Sequence, residues 1–180
     1  MRFLPTPLEG VMRIEYERAS DERGWFVRVY DESSFAEHGL CTVFPQHGRV
    51  RNTRRGTLRG LHLQREPHGE MKLIRCVRGA VYDVLVDLRP GTGYGRHIVV
   101  ELSEDSADAL YVPFGIAHGY QTLADDTELE YLLSTEYVAE AATGVHPNSP
   151  WLAIAWPLAN PIISARDQAL PLVDPQSGHG

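Results

Sequence analysis

The stretch Gly79-Ala-Val-Tyr-Asp-Val-Leu-Val-Asp-Leu88 is the clearest secondary-structure signal in the chain. Its valines are β-branched, and its apolar run is short and bounded by turn residues, so Val81–Leu88 reads as a strand. Upstream of Gly79, Leu73–Val77 forms a second strand. Downstream lies Gly91-Thr-Gly-Tyr-Gly95, where a strand rather than a helix follows; that context marks a hairpin turn and not a nucleotide-binding glycine loop. Further strands are predicted over Val11–Glu17, Trp25–Tyr30, His97–Leu102, Ala109–Val112, Gly119–Leu123 and Glu128–Ser134. Helical turns are predicted only at Glu32–His38, anchored by Phe35, and near Glu104–Asp108. Short strands recurring about every ten residues with turn signals between them indicate a β-sandwich or barrel.

Composition fits this all-β reading. The 180 residues correspond to one domain, expected over 1–174, with residues 175–180 as a flexible C-terminal tail. Hydrophobic residues make up 43% and charged ones 23%, which excludes an intrinsically disordered chain. The formal net charge of −7 disfavours nonspecific nucleic-acid binding, which depends on phosphate neutralisation. No apolar run approaches the ~20 residues of a membrane span, and the N-terminus lacks the apolar core of a signal peptide. Cys41 and Cys76 cannot form a disulfide framework, and a cytoplasmic location is expected.

Chemistry concentrates in two places. Gly56 is followed, after five intervening residues, by His62, Leu63 and Gln64; later, Pro113-Phe-Gly-Ile-Ala-His118 has the spacing Pro-x-Gly-x-x-His. These spacings resemble the two boxes of the cupin superfamily, double-sheet jelly-roll barrels. Metal-binding cupins supply His-x-His and a glutamate from the first box and a third histidine from the second. Here Gln64 takes the second histidine's place, and Lys72, with six residues between it and Gly79, takes the glutamate's. An ammonium has no lone pair and repels a divalent cation, so no metal and no other cofactor is expected. Lys72 is the only lysine beside sixteen arginines.

Longer runs carry a more specific likeness. Asp21-Glu-Arg-Gly24, Gly56-Thr-Leu-Arg-Gly-Leu-His-Leu-Gln64, Lys72, Arg78–Arg89, Pro113–Gly119, Glu130-Tyr131, Trp156-Pro157 and Ser164-Ala-Arg-Asp167 together resemble the nucleotide-sugar 3,5-epimerases. The resemblance runs from about Leu8 to Leu172. It implies a cupin-type double-sheet jelly-roll barrel with short peripheral helices. The implied substrate is a nucleoside-diphosphate 4-keto-6-deoxyhexose, inverted at one or both carbons beside the ketone. A ketone acidifies those carbons, so a base on one face, a charge at the enolate oxygen and an acid on the other face suffice.

By this resemblance His62 is the base, Asp167 its hydrogen-bond partner, Lys72 the cation at the ketone oxygen and Tyr131 the acid across the ring. Imidazole as a side-chain type suits the first role. Leu129 alternates with Tyr131 along the predicted strand, which points both the same way. His118 and Asp83 are expected to line the same cavity. Arg49, Arg51, Arg54, Arg55, Arg59 and Arg65 fall within seventeen residues; alone such a run reads as a solvated edge strand. Beside this cavity it reads as a diphosphate clamp, with Arg59 and Arg23 the foremost members. Phe26 and Tyr137 are expected to stack on the nucleobase, with Gln46 nearby. A homodimer exchanging N-terminal strands is implied.

The likeness departs in two places near the nucleotide. Where many members carry Gln-x-Asn, this chain has Gln46-His47-Gly48-Arg49, and residue 28 is Arg where a Glu is common. The nucleobase therefore stays open among thymidine, cytidine and guanosine. Two other functions are compatible with these residues: a metal-dependent cupin oxygenase or isomerase, and a non-catalytic module that binds a sugar nucleotide.

Overall fold

The computed structural model describes residues 1–179. Fourteen strands run in chain order as β1 (Arg2–Pro5), β2 (Met12–Glu15), β3 (Ala19–Asp21), β4 (Gly24–Phe26), β5 (Gln46–Asn52), β6 (Thr57–Gln64), β7 (Lys72–Arg78), β8 (Ala80–Asp87), β9 (His97–Ser103), β10 (Ala109–Val112), β11 (Ile116–Thr122), β12 (Thr127–Leu133), β13 (Ala142–Gly144) and β14 (Ile162–Ile163). Two short helices join them, α1 (Glu32–Glu37) and α2 (Ala165–Gln168), and Pro175–His179 forms a 3-10 turn. One sheet has the order β1-β2-β10-β7-β12-β5. The other runs β13-β6-β11-β8-β9, with β14 added in parallel to β6. This is the expected double-sheet jelly roll. Among the described residues no strand pairing joins the two sheets into a closed barrel.

Alternation along each strand explains the layers. On β8, Val81 and Leu85 face inward while Val84 and Val86 face the opposite side. The inner core takes Ile74, Cys76, Leu110 and Leu129 from the first sheet and Val81, Leu85, Leu102, Ile116 and Tyr120 from the second. A second cluster covers the outer face of the first sheet, where α1 drives a fully buried Phe35 against Ile14, Leu73 and Tyr111. Asp31 caps α1 by accepting a hydrogen bond from the Ser34 N–H at 3.0 Å. A third cluster, with Leu61, Val84, Val86, Leu152 and Val173, covers the outer face of the second sheet.

Two sequence expectations need correction. No helix forms near Glu104–Asp108; the segment is a turn. Ser103 Oγ accepts from the Ser106 N–H at 3.1 Å and Ser106 Oγ from the Ser103 N–H at 3.3 Å. Serine side chains that capture local N–H groups compete with helix formation. Of the strand predicted over Trp25–Tyr30 only Trp25 and Phe26 are extended, as part of the β3–β4 hairpin. Beyond it the Val29 carbonyl accepts from the Tyr16 hydroxyl at 2.8 Å instead of from a neighbouring strand. Conversely, β5, with Arg49 and Arg51, and β6, with Arg59 and His62, do not announce themselves by apolar alternation. β5 is an edge strand of the first sheet.

The contact between β6 and β11 is unusually close. His118 pairs with His62 in register, and the register then shifts before Tyr120. A Cβ on Gly60 would fall 2.5 Å from Gly119 Cα, and one on Gly119 would fall 2.7 Å from the Arg59 carbonyl oxygen. Both obstacles are backbone, so only glycine fits. Gly119→Ala is therefore expected to cost about 1–3 kcal/mol, the usual cost of overpacking. Gly48→Ala, where a Cβ meets nothing within 4 Å, is expected to stay within about 0.5 kcal/mol. Urea unfolding of the two variants checks this; equal midpoints would contradict the close-contact account.

Candidate active site

The cavity lies between the sheets, and side chains reach it from both. From the second sheet come His62 and Arg59 on β6 and His118 and Tyr120 on β11; from the first come Val50 on β5, Lys72 on β7 and Tyr131 on β12. Arg59 and His62 are three residues apart yet share this lining, which the irregular β6–β11 register permits. The inner part measures about 220 Å³. It continues past His62, Lys72, Tyr131 and Val50 into an outer part of about 300 Å³, reached also by Gln64, Glu70, Tyr137 and Arg166.

His62 meets Asp167 although 105 residues separate them. Ile162 and Ile163 of β14 pair with Thr57 and Leu58 of β6. The chain then turns at Ser164, whose Oγ caps α2 by accepting from the Asp167 N–H at 3.1 Å. Ser164-x-x-Asp167 has the spacing of a capping box, but the Asp167 carboxylate serves β6 instead. Its Oδ1 lies 2.7 Å from His62 Nε2, and its Oδ2 accepts from the Gly60 N–H at 3.2 Å. Burial works to raise the Asp167 pKa, but the His62 hydrogen bond and charge, with the Gly60 N–H and Arg166, hold it below the usual carboxylate value. An ionised Asp167 accepts the Nε2 proton and leaves His62 Nδ1 as the nitrogen with a free lone pair.

Lys72 opens β7 and is almost wholly buried. Its Nζ pairs with Glu70 Oε1 at 3.1 Å and donates a long hydrogen bond to the His62 carbonyl at 3.5 Å. Tyr131 packs against the inner core beside Leu129, as the alternation predicted. Burial, chiefly, pushes its hydroxyl well above the ordinary phenol range, and the Tyr120 hydroxyl and Asp83 add to the effect. The ring stands edge-on to His118 at 6.0 Å between centroids. His118 Nε2 lies 2.7 Å from Asp83 Oδ2, and both side chains are buried. Burial raises the Asp83 pKa, opposed by His118 and Lys72.

Gln64, where a metal-binding cupin has its second histidine, is a strut. Its Nε2 donates to the carbonyls of His68 and Glu136, and its Oε1 accepts from the Val138 N–H at 2.7 Å. Among the described residues no three His, Cys, Asp or Glu side chains gather as a metal site. The arginine run divides. Arg49 pairs with Glu128 and Arg51 with Asp126. Arg59 Nε instead donates to the neutral Asn52 Oδ1 at 2.8 Å, so its charge is not matched by a carboxylate there.

A profile of the dTDP-4-dehydrorhamnose 3,5-epimerases matches residues 5–174. The chain belongs to this epimerase family. It is 40% identical over 169 residues to the dTDP-4-dehydrorhamnose 3-epimerase of Streptomyces niveus, covering 93% of this chain and 82% of that one. It is also 40% identical over 172 residues to the 3,5-epimerase of Methanothermobacter thermautotrophicus, covering 93% and 91%. A crystal structure of the 3,5-epimerase from Bacillus anthracis, with TDP and PPi bound, superposes with a TM-score of 0.93 at 35% identity, over 96% of this chain and 99% of that one. The protein is an isomerase, as its sequence implied.

The expected site residues of this epimerase separate into two groups. His62, Lys72, Tyr131, Asp167, Arg59, His118 and Asp83 gather at the inner cavity, and Tyr137 stands at its outer part with Gln46 Oε1 accepting from the Tyr137 N–H at 3.2 Å. Arg23 and Phe26 stand apart on the exposed β3–β4 hairpin, where Arg23 pairs with Asp21. Three contributors escaped the sequence reading: Glu70 beside Lys72, Asn52 beneath Arg59, and Arg166 on α2. Only Arg166 left a signal, its place within Ser164-Ala-Arg-Asp167.

The depressed Asp167 pKa fixes the sign of a pH effect. A carboxyl whose folded value lies below its unfolded value of about 3.9 stabilises the fold above that pH. The contribution disappears as pH falls through the folded value. The stability difference between wild type and Asp167→Asn is therefore expected to be constant near neutrality and to shrink below about pH 4. Thermal unfolding between pH 3 and 7 measures it; a difference that grows toward acid would contradict the assignment.

Proposed function

We propose that this epimerase acts on dTDP-4-keto-6-deoxyglucose and inverts one or both carbons beside the ketone without a metal. The observation that carries the mechanism is the placement of His62 and Tyr131 on opposing sheets across one cavity. A sugar lying between them presents one face to each. His62 Nδ1 takes the proton from the carbon beside the ketone. The C–H electron pair becomes the C=C bond of the enolate and the carbonyl π pair moves to oxygen, where the Lys72 ammonium meets it. Asp167 stabilises the imidazolium formed. Tyr131, kept as a neutral phenol by burial, gives its proton to the opposite face, and the ketone re-forms. Exchange with solvent returns both side chains to their starting states. The thymidine assignment draws on the relatives named for dTDP sugars. Those two relatives, at equal identity, are named for inversion at one carbon and at two.

Arg59 serves as a diphosphate contact and Tyr137, beside Gln46, as a stacking surface for the base. Arg23 and Phe26 fit the same role for a partner subunit. Their hairpin is exposed, with Trp25 and Phe26 more than half accessible, which supports a homodimer that shares its sites. Light scattering on a size-exclusion column is expected to give twice the 20.2 kDa of the chain; a monomer at micromolar concentration would remove this arrangement. Two unpaired cysteines and the absence, among the described residues, of a helix long and apolar enough to cross a membrane suit a cytoplasmic enzyme.

Proton NMR of dTDP-4-keto-6-deoxyglucose with the enzyme in deuterated water tests the reaction. Loss of signal at either carbon beside the ketone establishes enolisation, and the pattern separates single from double inversion. His62→Ala is expected to abolish exchange by about 10³-fold or more. Tyr131→Phe is expected to retain exchange without inversion, because the base still returns deuterium to the face it deprotonates. Lys72→Ala should lower kcat more than it raises KM. Retained exchange in His62→Ala would sink the base assignment.

A further inference from the structure

Lys72 is not free in the cavity. Its ammonium and the Glu70 carboxylate stand 3.1 Å apart, with side-chain exposures of only 9% and 10%. Glu70 lies in the loop before β7 and lines the same cavity as His62, Lys72 and Tyr131. A protonated lysine has three donors. One is taken by Glu70, and a second points to the His62 carbonyl at a long 3.5 Å. Without Glu70, a cation this buried and held only by that weak backbone contact would swing, since four rotatable bonds carry it. Asp83 offers the swing a destination. It is fully buried on β8, its Oδ1 has no hydrogen-bond partner, and the Lys72 charge opposes the rise that burial gives its pKa.

We propose that Glu70 is the positioning residue for Lys72. It anchors the ammonium at the mouth side of the inner cavity so that the remaining N–H points at the substrate oxygen and does not collapse onto Asp83. Glu70 touches neither the reacting carbons nor their protons; it acts through Lys72. The proposal rests on the reading that Lys72 faces the enolate oxygen. An acceptor at residue 70 is what the geometry requires, so glutamine there preserves the hydrogen bond while leucine removes it at similar volume.

The solitary lysine makes the test clean. Protein labelled with 15N at lysine Nζ gives a single side-chain resonance, that of Lys72. In Glu70→Leu this resonance is expected to shift and to exchange faster with solvent than in wild type. In kinetics, Glu70→Leu is expected to lower kcat by about 10–100-fold, as loss of a supporting contact does, with KM within about threefold. Glu70→Gln is expected to recover most of that rate. An unchanged Nζ resonance in Glu70→Leu would overturn the contact, and equal losses in the leucine and glutamine variants would overturn the anchoring role. If the leucine variant does not fold, the Nζ resonance of Glu70→Gln decides: loss of the carboxylate must move it. Lys72→Ala tells the two failures apart. Undiminished kcat there refutes the enolate reading itself, whereas a large loss there with a silent Glu70→Leu refutes only the role of Glu70.

Discussion

Charge buried between two β-sheets and out of reach of solvent must be paired. That constraint organises this protein. One end of the sandwich is closed by Ile74, Val81, Leu85, Leu110 and Leu129. The other end carries His62, Lys72, Asp83, His118 and Asp167, and each has a partner: His62 with Asp167, Lys72 with Glu70, His118 with Asp83. The pairs also fix geometry. Each imidazole has one nitrogen committed to a carboxylate, so its other nitrogen is oriented without help from a ligand. The same contacts that make the cavity tolerable to the fold make it directional for chemistry.

The topology supplies these partners from unexpected distances. Asp167 reaches His62 only because two residues of β14 extend the sheet beside β6 and a capped single turn follows at once. The glycines at 60 and 119 matter for the same reason. By letting β6 and β11 approach closely, they allow His62 and His118 to stand opposite one another in register while Arg59 enters the same space. A side chain at either glycine would part the strands where the two histidines meet.

How much of this the sequence carried depends on the range of the interaction involved. The strand over Val81–Leu88 was legible from its own eight residues, since pattern and burial coincide there. The inward direction of Tyr131 followed from Leu129 two positions away. The β5 and β6 strands were masked because their arginines face carboxylates on β12 or line the cavity, so apolar alternation is lost. The turn at residues 103–107 was misread because local serine hydrogen bonds outweighed helical propensity. Asp167 could be paired with His62 only through family resemblance; no local signal spans 105 residues. Glu70 had no signature at all. Two residues before Lys72 on a loop, it reads as ordinary surface charge until the fold buries it.

A lysine in the position of a cupin's metal-binding carboxylate changes what the site can do. A divalent metal would hold the ketone oxygen through fixed coordination geometry, and its ligands would set that geometry. An ammonium on four methylenes has charge but little direction of its own, so the direction has to come from its surroundings. Gln64 does not provide it, since all of its hydrogen bonds go to the 134–138 loop and to His68. Asp83 would draw the cation inward, away from the mouth. Glu70 opposes that pull from the loop side. Lys72 and Glu70 thus act as one device, the first supplying the charge and the second its direction.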